Sequence, residues 1–248
     1  MNTYTYFQDL ILDINKKVFP NVRVVNHAGG KHVGIAFVDQ NFPISINEAE
    51  YNFMQDLIIR HNLKNGFELS TGVGISTLGI GLGLQKTNGH LTTLDSYYED
   101  LNQVSQNIPV MAYTPETIEL IKNKSISYNF VKKLLSAYSL NDNVSQLIGW
   151  SPIDSIEIAK KSTPFDFIFL DCPKDDKEFE RDIVSLRPFI ADKYVICVHD
   201  THCYTRKSYD LVKSLFKKNM NQIHAYFKDT PHYSIRHFPL GIITNLEI

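Results

Sequence analysis

Phe67-Glu68-Leu69-Ser70-Thr71-Gly72-Val73-Gly74-Ile75-Ser76-Thr77 opens the stretch that decides the fold, and Gly89-His90-Leu91-Thr92-Thr93-Leu94-Asp95 closes it. Between them runs an apolar segment dotted with Gly79, Gly81 and Gly83. The pattern reads as a strand, a glycine turn, a helix over about 76–86, and a second strand ending in a carboxylate. Gly72 and Gly74 let the backbone turn sharply and let a ligand approach it closely. The helix aims its unpaired N–H groups at that turn. Asp95, about twenty residues further on, is placed to accept hydrogen bonds from ribose hydroxyls. The unit therefore predicts a site for a nucleoside-containing cofactor, with Ser70, Ser76 and Ser96 beside it.

A dinucleotide site asks for Gly-x-Gly-x-x-Gly, and Thr77 stands where the third glycine belongs. Glu68 at the end of the first strand is awkward beside a pyrophosphate but suits the cationic end of an amino acid. An acidic residue, small residues and then Gly-x-Gly resembles motif I of the class I S-adenosylmethionine-dependent methyltransferases. Ser70 departs from that pattern, which has a glycine there. The resemblance covers roughly residues 64–245. It implies that Glu68, Ser70, Gly72, Gly74, Ser76, Asp95 and Ser96 surround adenosylmethionine, and that Trp150 and Ser151 flank the adenine.

The rest of the chain fits one α/β protein. The 248 residues are 43% apolar, enough for a substantial core, and the formal charge of −2 gives no general attraction to nucleic acid or an anionic membrane. No apolar run is long enough for a membrane span. The three cysteines, Cys172, Cys197 and Cys203, fit neither a disulfide framework nor zinc spacing, and with no signal peptide evident they point to a reducing cytoplasm. Phe7, Leu10, Ile11, Ile14 and Val18 make an amphipathic helix, residues 22–25 and 33–37 a small hairpin or two short extended pieces, and Ser45 with Glu48 the capping box of a second helix. Residues 1–63 read as a cap, and 64–248 as the main domain.

Residues 96 to about 143 exceed what a crossover needs and predict a helical insertion above the strand carboxyl ends, with a helix starting at Thr114-Pro115. Residues 144–148, 166–171 and 194–198 read as further strands, the latter two nearly continuous in apolar residues as in a doubly covered parallel sheet. Residues 224–227 and 234–245 read as a closing strand pair. The expectation is a doubly wound, mostly parallel, Rossmann-like sheet with a C-terminal antiparallel pair.

Two strand ends carry a second group of polar residues, Asp171 and Asp200-Thr201. Their oxygens suit a hard divalent ion such as Mg²⁺. Leu170-Asp171-Cys172-Pro173-Lys174 resembles the Leu-Asp-x-x-Lys stretch of catechol O-methyltransferase-like enzymes, which implies Asp171 as a metal ligand beside the cofactor and Lys174 as the base. Thr201 stands where that family has an asparagine ligand. His199-Asp200-Thr201 is closer to metal-dependent sugar and antibiotic-tailoring methyltransferases, which brings in natural-product biosynthesis. His199 and His202 are further candidates for the base or a substrate contact. The expectation is metal-assisted methylation of a small-molecule hydroxyl acceptor by a cytoplasmic enzyme, with a homodimer as one assembly open to it. The alternatives are an NAD(P)-dependent oxidoreductase or a non-catalytic binding domain.

Overall fold

The computed structural model describes residues 4–20, 22–27, 30–35, 46–97, 114–171, 175–222 and 240–248. Strands β1 (Val22–His27) and β2 (Gly30–Ile35) pair antiparallel as the expected hairpin. The main sheet contains β3 (Asn65–Leu69), β4 (His90–Asp95), β5 (Val144–Ile148), β6 (Phe165–Leu170), β7 (Ile190–Val198), β8 (Asn221–Gln222) and β9 (Gly241–Thr244), in the order β5-β4-β3-β6-β7-β9-β8. The first five in that order are parallel, and β9 runs antiparallel to both β7 and β8. The chain winds outward from β3 to β5, then returns to β6 beside β3 and winds the other way. The carboxyl ends of β3 and β6 therefore flank the switch point, where an open α/β sheet places its ligand. The doubly wound sheet with an antiparallel end is as expected. Of the anticipated closing strands, 224–227 lies outside the described residues and β9 falls within 234–245.

The helices are α1 (Phe7–Lys17), α2 (Glu48–Arg60), α3 (Ile75–Lys86), α4 (Pro115–Lys124), α5 (Ile126–Ala137), α6 (Ile153–Ala159), α7 (Asp176–Leu186) and α8 (Arg206–Phe216). Strand pleating divides the core into two layers. Leu91, Phe167, Phe169, Val195 and Cys197 face α1, α2, α3 and α5. Phe67, Leu69, Leu94, Ile168, Leu170, Ile196 and Val198 face α7 and α8. Phe165 joins the second layer although its parity matches Phe167; it stacks on Phe67, and the pairing with β7 is irregular between Phe165 and Phe167. Five residues of β6 are fully or almost fully buried, and each side chain is worth on the order of 1.5–3 kcal/mol.

The N-terminal helices share this core. Phe7, Leu10, Ile11 and Ile14 of α1 belong to the same buried cluster as α3. Two glycines bring α2 close to α3: a side chain at Gly79 would meet the Tyr51 ring at 2.8 Å, and one at Gly83 would meet Ile58 at 3.3 Å. The expected cap at Ser45 lies outside the described residues, and the helix begins later. Asn47 caps it, accepting the N–H groups of Ala49 and Glu50, while the Glu50 carboxylate accepts the Asn47 N–H at 2.9 Å. Glu48 instead reaches across to accept the Phe7 N–H at 2.6 Å.

After β4, residues 98–113 lie outside the described set. Thr114 caps α4 with Pro115 at its first position, as the sequence predicts. Helix α5 follows at once and completes the crossover to β5, burying Phe130, Val131, Leu134 and Leu135. No helix among the described residues is long and apolar enough to cross a membrane.

Candidate active site at the strand carboxyl ends

The turn after β3 is built on left-handed backbone. Ser70 has φ +79°, Gly72 +52° and Gly74 +76°. Ser70 thus keeps the conformation natural to the glycine it replaces, at a cost of order 1–3 kcal/mol. The two glycines serve different ends. A side chain on Gly74 would strike Val131 of α5 at 2.8 Å, so this residue is glycine for packing. Among the described residues nothing stands within 4 Å of where a side chain on Gly72 would project, which leaves open space against the backbone. The Gly72 N–H donates to Asp95 Oδ2 at 2.7 Å, and the Tyr97 N–H to Asp95 Oδ1 at 2.7 Å. Asp95 is thereby fixed at the tip of β4, facing the turn.

Glu68 is fully buried beneath this turn. Its two oxygens accept the hydroxyls of Ser76 and Thr77, each at 2.6 Å, so it ties β3 to the first turn of α3. Burial raises its carboxyl to about 7; the hydroxyls of Ser76, Thr77 and Thr93 offset part of that rise, and the charge of Asp171 adds to it. The sequence pattern sets Glu68 and Ser76 against the ligand. The structure engages them with each other, which is a supporting role for the turn.

Beyond β5, the Trp150 N–H donates to Asp154 Oδ2 at 2.7 Å. The Ser151 hydroxyl donates to Asp182 Oδ1 at 2.8 Å, on a carboxylate that is itself fully buried. Both residues stand at the carboxyl end of β5, next along the sheet from Asp95.

The second group lies across the switch point. Asp171 follows β6, and His199 and Asp200 follow β7; donor atoms of the three lie within 4.8 Å of one another. His199 Nδ1 is 2.9 Å from Asp171 Oδ1 and 3.5 Å from Asp200 Oδ1. The opposite ring nitrogen, Nε2, is 3.4 Å from Glu50 Oε2 of α2. Burial works against a charge on this ring, but the carboxylates of Asp171 and Glu50, with the Asp171 and Asp200 contacts, lift the imidazole well above its ordinary value. The ring is thus enclosed by the side chains of three acidic residues. Asp200 itself has φ +53°, in the turn that aims it back at His199. Thr201 is buried with its methyl against Gly241. His202 is mostly exposed, its Nδ1 3.9 Å from Asp200 Oδ1. Lys174 lies outside the described residues.

Two carboxylates and an imidazole converging within 4.8 Å fit a divalent ion. The sequence pattern offers Asp171, Asp200 and Thr201 for this and leaves His199 as a base or substrate contact; among the described residues the group that converges is Asp171, His199 and Asp200. The pattern does not offer Glu50, which lies in a region that reads as a cap without chemistry. One signal is present: Val195 and Cys197 face α2, and His199 has their parity.

The comparisons with known proteins agree with this geometry. The model of the family described as "Methyltransferase domain" matches residues 67–201, more than half of the chain, from β3 through Thr201. No curated protein matches the chain in sequence. Among solved structures, the O-methyltransferase from Bacillus cereus in complex with SAH superposes with a TM-score of 0.53 at 15% identity, covering 80% of each chain. The O-methyltransferase TomG from Streptomyces achromogenes, involved in tomaymycin synthesis and solved with SAM, gives 0.53 at 11% identity over 94% of each chain. At such identity these are likenesses of fold. The matched segment spans the strands that carry the site, and the chain belongs to the methyltransferase-domain family, with the class I fold.

Proposed function

We propose that the protein transfers the methyl group of adenosylmethionine to a hydroxyl of a small molecule, with a divalent ion held by Asp171, His199 and Asp200. The observation that carries this reading is the open backbone at Gly72, between Asp95 and the three-donor cluster, on one carboxyl edge of the sheet. Asp95 accepts the ribose hydroxyls while holding the turn in place, since each carboxylate oxygen takes more than one hydrogen bond. The N-terminal N–H groups of α3 favour the carboxylate of the methionine part. Trp150 and Ser151 edge the adenine, and Glu68 keeps the turn rigid from below. The strand-end residues hold donor and acceptor in line, which removes much of the entropic barrier.

A bound ion would lower the pKa of the acceptor hydroxyl, as it does for water. The donor set refines which ion. Imidazole suits zinc, copper, iron and nickel, and carboxylates suit magnesium, calcium and manganese. A site with two carboxylates and one imidazole favours a borderline ion such as Mn²⁺ over Mg²⁺. The resemblance supplies Lys174 as the base that takes the hydroxyl proton, with His202 at the rim as a substrate contact.

The test is release of adenosylhomocysteine from adenosylmethionine in the presence of a panel of phenolic and sugar hydroxyl acceptors. The expected result is acceptor-dependent release, suppressed by chelator and restored by Mn²⁺. Full turnover in saturating chelator would overturn the metal part. No release with any acceptor, in a protein that binds adenosylhomocysteine, would favour a binding domain.

A further inference from the structure

Glu50 belongs to none of the family-matched residues 67–201, yet its carboxylate meets the strand-end cluster. It is fully buried, and its Oε1 has no hydrogen-bond partner among the described residues. A buried carboxylate with an unmet oxygen is costly unless a cation answers it. Its other oxygen accepts the Asn47 N–H at 2.9 Å, so the capping box of α2 fixes the side chain. Glycine contacts at Gly79 and Gly83 in turn fix α2 on α3. The carboxylate is thus held rigidly at one edge of the His199 ring.

The two edges of that ring face different groups. Nε2 is turned to Glu50 at 3.4 Å, and Nδ1 to Asp171 at 2.9 Å and Asp200 at 3.5 Å. A histidine that binds a metal through one nitrogen commonly donates the N–H of the other to a carboxylate, which fixes tautomer and ring orientation. We propose that Glu50 is a positioning residue of the cation site: its carboxylate faces the Nε2–H edge of His199 and so holds Nδ1 towards Asp171 and Asp200, where a bound ion would take the place of the proton that Nδ1 shares with Asp171. The N-terminal region thereby supplies a part of the site that residues 67–201 lack. This rests on the metal reading above.

The test is calorimetric titration of the full chain with Mn²⁺, for wild type, Glu50→Gln, Glu50→Asp and His199→Ala, with adenosylhomocysteine binding as the check that each variant is folded. Gln can still accept the Asn47 N–H through its carbonyl, which takes the place of the oxygen that also faces His199, so this variant removes the negative charge beside the ring and little else. The expected result is a loss of Mn²⁺ affinity of roughly 10–100-fold in Glu50→Gln, with adenosylhomocysteine binding unchanged. A larger loss follows in His199→Ala. If Glu50→Gln fails to bind adenosylhomocysteine, Glu50→Asp carries the comparison, since it keeps the charge but withdraws it from Nε2; it too should bind Mn²⁺ more weakly than wild type. Wild-type Mn²⁺ affinity in a folded Glu50 variant overturns the inference alone. Absence of Mn²⁺ binding in the wild type overturns the metal reading, and this inference with it.

Discussion

Replacing Glu68 by glutamine should stabilise the protein, and should do so only when the pH is high. Glu68 is fully buried and its carboxyl is raised from 4.5 to about 7, chiefly by burial. In the unfolded chain it releases its proton near 4.5. Between those values the native state holds a proton that the unfolded state has lost, so stability falls as pH rises through this window. The difference corresponds to about 3 kcal/mol, fully expressed above pH 7. The glutamine side chain does not titrate. It can accept one hydroxyl of Ser76 or Thr77 and donate to the other, because a hydroxyl serves either way. Urea unfolding of both proteins at about pH 5 and about pH 8 reads the effect directly. Groups common to both cancel, so the advantage of E68Q over wild type should grow by about 2–3 kcal/mol from the lower to the higher pH. A difference that is the same at both pH values would refute the claim that a buried, proton-retaining carboxylate underlies the turn.

Other variants separate the roles of the turn and the cluster. Gly74→Val should lower stability by about 3 kcal/mol, because it combines a positive φ with a clash on Val131; thermal unfolding would show it. Gly72→Ala should cost only about 1–2 kcal/mol in stability, from φ alone, and yet abolish adenosylhomocysteine binding in calorimetry. Asp95→Ala should weaken the same binding by about 1–3 kcal/mol, since it also releases the Gly72 and Tyr97 N–H groups. Lys174→Met should lose roughly 10²–10⁴ in turnover while adenosylhomocysteine and Mn²⁺ still bind.

The parts of the site that are local in the chain are legible from the amino-acid sequence. Strand, glycine turn, helix and second strand form one continuous unit, and Asp95, Asp171 and Asp200 announce themselves by ending apolar runs. What the sequence hides depends on tertiary contact. That Gly74 is a packing glycine is decided by Val131 in a helix that follows β4, not β3. Glu68 has the look of a ligand contact, and nothing in the sequence shows that Ser76 and Thr77 reach both its oxygens. Ser45 and Glu48 have the spacing of a capping box, yet the asparagine that caps α2 comes two residues later, which is what turns Glu50 inward. Glu50 itself carries no motif. It becomes visible only when α2 is laid on α3 and the parity of β7 directs His199 towards it.

The central claim, that an adenosyl cofactor sits on the turn at Gly72 beside Asp95, is tested most directly by titrating the wild-type protein with adenosylhomocysteine and, separately, with NAD in a calorimeter. The account predicts saturable binding of adenosylhomocysteine and no heat from NAD. Binding of NAD without adenosylhomocysteine, or of neither, would contradict it.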